Sequence, residues 1–451
     1  MTRISRTVSR AQARATLTLG DGLRRGLTAG AAKVFVLQGF AAGFGVVATW
    51  ILSRSSTPAE FGTYASVLSV VALLGIPAAL GFDSYLVPAA ARFLVQKRYG
   101  SLAGILRRSR DLTLVASLSL VLVGVVLPLP ALLGIAIAPY LVGLACLPVA
   151  ALSRLRQATL TGVNRVIEGQ VPESLVRPSV LALLAAAMAL SFGRLTGVSM
   201  MAANLAAVAA AYGTGLLLQR RYLPRIVRDS RPEFETAAWS RAAISFVVLT
   251  GANQVMLNVP LIAVGLMRGP AEAALFAMAW KLASLVVFGY AAVNTVLAPA
   301  TAKLWAEGDT EHLQRIVTFT ARLALISTLP AAVVFLVAGQ WVLGFFGPAY
   351  ALAATALAIL TVGQILNAAT GNVMLLLSMT GHQSLGAAAQ MAVAVASIPL
   401  TMFLVATFGV NGAALSYVIA LVTVNVIWMW LVGRKVGVAT TALGPLRLRP
   451  R

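Results

Sequence analysis

The sequence predicts an all-α, polytopic membrane protein of about twelve transmembrane helices in two six-helix lobes, with both termini cytoplasmic. Three observations carry this. Hydrophobic residues make up 59% of the 451 positions and charged residues 11%, against about 25% charged in a soluble domain. Apolar runs near the ~20 residues needed to span a bilayer recur along the whole chain; a β-barrel would show ~10-residue alternating segments instead. Basic residues gather between alternate runs rather than being spread evenly.

Taken in order, the spans are expected at residues 33–52, 58–83, 112–129, 131–151, 174–192 and 198–218, then 242–265, 270–298, 319–338, 350–379, 385–406 and 411–432. This divides the chain into a basic arm (1–32), a first lobe (33–218), a basic linker (219–241), a second lobe (242–433) and a basic tail (434–451). The first run follows the arm and is too long for a cleaved signal peptide, so it reads as a retained helix.

Lys and Arg partition almost completely. One side takes the arm residues Arg3 to Lys33, the stretch from Arg92 to Arg110, and Arg154, Arg156, Arg165 and Arg177. It also takes Arg220 to Arg241, Lys303, Arg315 and Arg322, and the tail from Arg434. The other side has only Arg54, Arg194 and Arg268. By the positive-inside rule the basic side is cytoplasmic. The net charge of +22 therefore reads as orientation and contact with membrane lipid headgroups, not as nucleic-acid binding. The single cysteine, Cys146, permits no intramolecular disulfide. His312 and His382 show no metal-ligand spacing, and no nucleophile, metal or nucleotide motif appears. The expectation is a non-enzyme without cofactor or metal.

The two halves echo each other. Gly39 stands as far before Pro58-Ala59-Glu60 as Gly251 stands before Pro270-Ala271-Glu272. Tyr64 and Ala65 then match Phe276 and Ala277, and LTGVN at Leu160 has a counterpart in MTGHQ at Met379. Six spans per copy gives both copies one orientation, as in transporters built from parallel repeats. Thr57, Pro58 and Glu60 fit N-cap, N1 and N3 of a helix, as do Gly269, Pro270 and Glu272. An acid there complements the positive helix end. A proton-coupling carboxylate is the functional alternative for both Glu60 and Glu272.

Lys281 lies eleven residues past Pro270, about 16 Å along a helix and so near the midplane of a ~30 Å core. A charge there costs at least ~2.5–3.5 kcal/mol on insertion scales. Its counterpart in the first half is Ser69. The predicted face holds Ala277, Lys281, Ser284, Phe288, Ala291 and Thr295, mostly small and polar, which suits a cavity wall. Gln254 and Asn258 share a face at i, i+4, with Asn253 beside them. Gln364, Asn367 and Asn372 are polar positions in the tenth span. Each amide alone fits interhelical hydrogen bonding. Together with Lys281 they outline a polar, positively biased substrate cavity, with Lys281, Ser284, Gln254, Asn258, Gln364 and Asn367 as its candidate residues. Asp83, at the end of the second span, reads as a partner of nearby arginines or as a coupling group.

STPAEFGTYASVLSVVALLGIPAALGFDSYLVPAAARFL, with Phe61-Gly62-Thr63-Tyr64 and Gly81-Phe82-Asp83, resembles the first repeat of Wzx-type polysaccharide flippases. These belong to the multidrug/oligosaccharidyl-lipid/polysaccharide superfamily. The stretch FAMAWKLASLVVFGYAAVNTVLAPATAKLWAEGDTEHLQRIVTFTARL, with Lys281-Leu282, Pro299, Gly308-Asp309 and Leu313, resembles the second repeat. FFGPAYALAATALAILTVGQ resembles the loop and helix after it. The resemblance implies a MATE-like two-lobe fold in the bacterial inner membrane. It implies alternating-access movement of undecaprenyl-diphosphate-linked glycan, with polysaccharide polymerase machinery as a partner. Family members place several cations in the central cavity, whereas Lys281 alone is expected at that depth here. The competing reading is a cation-coupled multidrug exporter of the same superfamily, which would want a carboxylate at mid-depth.

Overall fold

A computed structural model describes residues 33, 35–127, 129–132, 134–288, 301, 304–442 and 444. The described residues fold as helices joined by short turns, with no strand among them. In hydrocarbon every backbone polar group needs an internal partner, and continuous helices provide it. The first lobe contains α1 (Phe35–Arg54), α2 (Pro58–Ala79), α3 (Phe82–Val95) and α4 (Tyr99–Val126). It continues with α5 (Ile137–Gly162), α6 (Val166–Phe192) and α7 (Gly197–Tyr222). A short helix, α8 (Arg225–Asp229), leads to the second lobe. That lobe has α9 (Thr236–Arg268), α10 (Pro270–Val286), α11 (Thr310–Phe346), α12 (Ala354–Thr370), α13 (Val373–Met379) and α14 (Gln383–Lys435).

Ten described helical stretches are long and apolar enough to cross a membrane. One of them, α14, is broken at Gly409 (φ 56°) into two passes. The described part of α10 is 17 residues long, and its expected continuation over 289–298 lies outside the described residues. With that break and α10, the passes match the twelve expected. Ala291, Thr295, Pro299, Lys303, the arm 1–32 and the tail beyond Gly444 likewise lie outside them.

Several boundaries differ from expectation for one reason. Hydropathy ends a span at a charge, whereas a helix ends only where its hydrogen bonding is interrupted. Thus α4 starts at Tyr99 and carries Arg107, Arg108 and Arg110, and α5 runs on through Arg154 and Arg156 to Gly162. The second span, expected to reach residue 83, stops at Ala79, where Leu80 (φ 51°) and Gly81 (φ 75°) turn the chain into α3. The two echoed stretches occupy matching places: Gly162 ends α5, and Met379 ends α13.

Local chemistry fixes the helix starts. Thr57 accepts the Glu60 amide at 3.3 Å and Pro58 takes N1 of α2. The Glu60 carboxylate reaches a different helix from the one expected: it accepts the backbone N–H of Gly197, the first residue of α7. Glu272, its repeat counterpart, lies beside Gly409, at the break of α14. Gly197 and Gly409 stand at the same sequence offset as the two glutamates, so the repeat extends to this pairing.

The lobes meet where α2 crosses α10. A Cβ on Gly62 would overlap the Pro270 carbonyl, and so only glycine permits this approach. At the same end, Ser53 donates to the Phe346 carbonyl at 3.0 Å, Trp50 and Arg54 donate to that of Phe345, and Phe61 meets Tyr350 edge-on. At the other end, which carries most of the basic residues, α9 stays with the first lobe. Gly81 abuts the Ala243 carbonyl, Trp239 packs on Phe93, and Arg98 pairs with Glu235. The apolar cluster of Leu313, Leu376 and Val432 there draws on the second lobe alone. Around the outside, Leu190 is 88% and Trp341 83% exposed, surface that suits lipid and not water.

Candidate functional site

Lys281 sits two-thirds of the way along α10, on the side that faces the first lobe. Its side chain is exposed, and what it faces is a cavity of about 380 Å³ walled by α1, α2, α6, α7 and α10. The wall opposite is α1, where Gly45 leaves room for the ammonium: a Cβ there would lie 3.5 Å from Lys281 Nζ. Thr49, Tyr64 and Ala277 complete this part of the lining. Ser284 turns away from ligand duty and donates to the Lys281 carbonyl at 2.6 Å.

A second cavity of about 300 Å³ adjoins the first and shares Leu68, Glu173, Arg177 and Asn204 with it. It continues to Arg154 and Gln157 on α5 and to Gln254 on α9. Glu173 and Arg177 stand out as cavity residues missed by the sequence reading, which began the fifth span at 174 and counted Arg177 only among the orienting cytoplasmic charges. They sit on α6, where Pro172–Val176 forms a π-helical turn. Pro172 contributes no amide donor, and the widened turn that results is a frequent feature of functional sites. Arg177 Nη1 lies 3.2 Å from Glu173 Oε2, and its Nη2 lies 3.5 Å from Asn204 Oδ1. Ser153 Oγ donates to Glu173 Oε1 at 2.5 Å. The legible signal was VPESLVRP, an i, i+4 acid–base pair between two prolines.

Among the described residues, the two adjoining cavities hold three cations, Lys281, Arg177 and Arg154, against one carboxylate, Glu173. Arg177 spends part of its charge on Glu173. The charge of Arg177 also bears on Lys281 as a like charge. Arg154 packs against α2, where a side chain at Gly75 would collide with its guanidinium. An apolar-walled space with surplus positive charge is suited to an anion, because such charges are weakly screened there.

The amide residues divide. Gln254 lines the second cavity and accepts from Asn258 Nδ2 at 3.0 Å, whereas Asn258 is not among the described residues that line either cavity. Gln364 is buried and bonds the Tyr417 hydroxyl, and Asn367 accepts from Asn425 at 3.0 Å. Both thus tie α12 to α14 within the second lobe, away from Lys281. Asn372 caps α13 by accepting the Leu375 amide. Asn253 accepts from Gln390 on α14. Asp83 sits at the bend from α2 to α3, in electrostatic reach of Arg154. Glu272 lies at the opposite end, beside Gly409 and apart from the cavity lining.

No protein-family model matches the chain, and no curated protein matches its sequence. Solved structures do match its shape. The lipid II flippase MurJ, in an inward closed conformation, aligns with a TM-score of 0.71 at 12% identity, over 88% of this chain and 87% of that one. A multidrug-resistance MATE-family transporter of the MOP superfamily, in an inward-facing conformation, aligns with a TM-score of 0.67 at 17% identity, over 89% and 94%. A MOP-superfamily transporter from Pyrococcus furiosus, whose reversed pocket polarity is taken to suggest a different function, gives 0.58 at 15% identity, over 90% and 95%. The chain has the fold of MOP-superfamily transporters along nearly its whole length.

Proposed function

We propose that this protein is a flippase that carries polyprenyl-diphosphate-linked oligosaccharide across the bacterial cytoplasmic membrane, for surface polysaccharide assembly, by alternating access. The observation that carries this reading is the meeting of Lys281 and Arg177 on one cavity at the boundary of the two lobes, with Arg154 on the adjoining cavity that Arg177 also lines. A diphosphate esterified at both ends carries one negative charge on each phosphate, and in a poorly screened cavity its attraction to an ammonium is several times that in water. Guanidinium groups add bidentate geometry for phosphate oxygens. The lipid II flippase among the structural neighbours supports the reading by fold. The wealth of Arg at one end supports cytoplasmic termini. In this arrangement Lys281 and Arg177 hold the headgroup while the polyprenyl chain stays in lipid.

A second reading rests on Glu173. The multidrug-exporter alternative wants a carboxylate in the cavity, and Glu173 lines both parts of it. Its pairing with Arg177 and Ser153 favours a structural duty, and the cationic surplus disfavours organic cations as cargo. One experiment separates the two. The protein is reconstituted in vesicles with a labelled polyprenyl-diphosphate oligosaccharide, and the label reaching the far leaflet is followed. A flippase moves the label and loses this on Lys281→Ala. Transport of a fluorescent organic cation, abolished by Glu173→Gln, with no movement of the lipid-linked sugar, would establish the exporter reading instead.

A further inference from the structure

On the other face of α5 lies a groove separate from the central cavity. Arg154 and Arg156 are two residues apart, which on a helix sets them on opposite sides. Arg154 faces the central cavity, whereas Arg156 forms the floor of a separate groove of about 370 Å³. Its walls are α4 and α7, and α8 closes it at the basic end. Five guanidinium groups line it: Arg107 and Arg110 from α4, Arg156 from α5, Arg220 from α7 and Arg228 from α8. No carboxylate is among the described lining residues. Asp111 pairs with Arg110 at 2.8 Å and offsets that one charge.

The floor is built, not incidental. The Arg156 guanidinium stacks 3.9 Å from the Tyr212 ring centroid, and its Nη2 donates to the Tyr212 hydroxyl at 2.8 Å. Its Nη1 is buried and has no hydrogen-bond partner among the described residues. A buried charged donor without a protein partner costs free energy and has a hydrogen bond left to give to an anionic oxygen. The charges of Arg110 and Arg220 both act on Arg156, so the groove as it stands is held against repulsion. Leu106 and Leu216 provide an apolar wall, and Val115 and Leu217 on the same two helices are exposed on the apolar outer surface.

We propose that this groove binds the phosphate of an anionic glycerophospholipid, such as phosphatidylglycerol, with its acyl chains along α4 and α7. Basic pockets between transmembrane helices at the cytoplasmic face are suited to such headgroups. A free phosphate ion shares the charge chemistry but leaves the apolar wall unused.

The test uses the purified full-length chain, stripped of endogenous lipid in detergent. Native mass spectrometry and thermal unfolding are read with added phosphatidylglycerol, phosphatidylcholine or inorganic phosphate. Phosphatidylglycerol should be retained, and should stabilise, at concentrations about tenfold below those needed for phosphatidylcholine. Arg107→Gln with Arg220→Gln, both exposed positions that leave the Tyr212 stack intact, should remove that preference. Arg434→Gln with Lys435→Gln, which removes equal charge elsewhere, should keep it. Equal loss in both double variants would overturn the site in favour of general attraction to a basic surface. Equal retention of the two lipids, or full protection by inorganic phosphate alone, would overturn the lipid assignment.

Discussion

Lys281 Nζ, on the second lobe, lies against Gly45 on the first, where a Cβ would stand 3.5 Å from the nitrogen. That spacing is ordinary contact for a methyl group but leaves no room for more. Gly45→Ala should therefore transport nearly as well as the parent, and Gly45→Leu should insert normally yet fail in transport, as its branches occupy the ammonium's space. Gly43 has open space at its Cα and makes the control, since Gly43→Leu should be tolerated. Export per folded molecule, with membrane levels measured alongside, checks all three. Equal activity of the two leucine variants would contradict the placement of Lys281.

The crossing of α2 and α10 is sterically sealed. A Cβ on Gly62 overlaps the Pro270 carbonyl, which is backbone and has little freedom to yield. Gly62→Ala should push the lobes apart at this end and cost about 1–3 kcal/mol. Ser53, buried under Phe346, is a reporter. In a background with Cys146→Ser, a cysteine at position 53 should label slowly in the parent and faster with Gly62→Ala. An unchanged rate would mean that the contact does not hold this end shut.

The two repeat glutamates differ in what can be read from them. Glu60 accepts the first amide of α7, so Glu60→Gln should cost about 0.5–2 kcal/mol in thermal unfolding while transport per folded molecule survives. Glu272→Gln is expected to behave alike, through the break at Gly409. Normal folding with loss of transport in Glu272→Gln would instead mark a coupling carboxylate.

Orientation follows from charge. Reporter fusions at Arg107, Arg231 and Arg447 should register on the cytoplasmic side, and fusions at Thr57, Arg268 and Gly409 on the periplasmic side. A periplasmic signal at Arg231 would make the two halves antiparallel and remove the parallel repeat.

Much of the architecture was legible in the sequence, because the bilayer imposes length and apolarity on every pass. The repeat was legible through Pro58 and Pro270, since both open a helix at one end of the bundle. Lys281 was legible because a charge in an apolar run is costly and has few structural excuses. Arg154 and Arg177 were not: hydropathy ended the fourth span before Arg154, and Arg177, just inside the fifth, was counted only as an orienting charge, whereas α5 and α6 carry both within helices that line the cavity. Gln364 and Asn367 misled for a related reason: polarity marks a buried amide but not whether its partner is a ligand or a neighbouring helix. Tyr417 and Asn425, which answer that question, are remote in sequence.

The central claim is that the charge of Lys281 meets an anionic headgroup, and the most direct measurement is restoration of surface polysaccharide in a flippase-deficient strain, normalised to folded protein in the membrane. Lys281→Arg should retain substantial activity, since charge is kept although the guanidinium is larger. Lys281→Ala should insert normally and lose function, and Lys281→Glu should be no better, because it sets a like charge against the ligand in a weakly screened cavity. Full restoration by Lys281→Ala would contradict the account and make this lysine a structural residue.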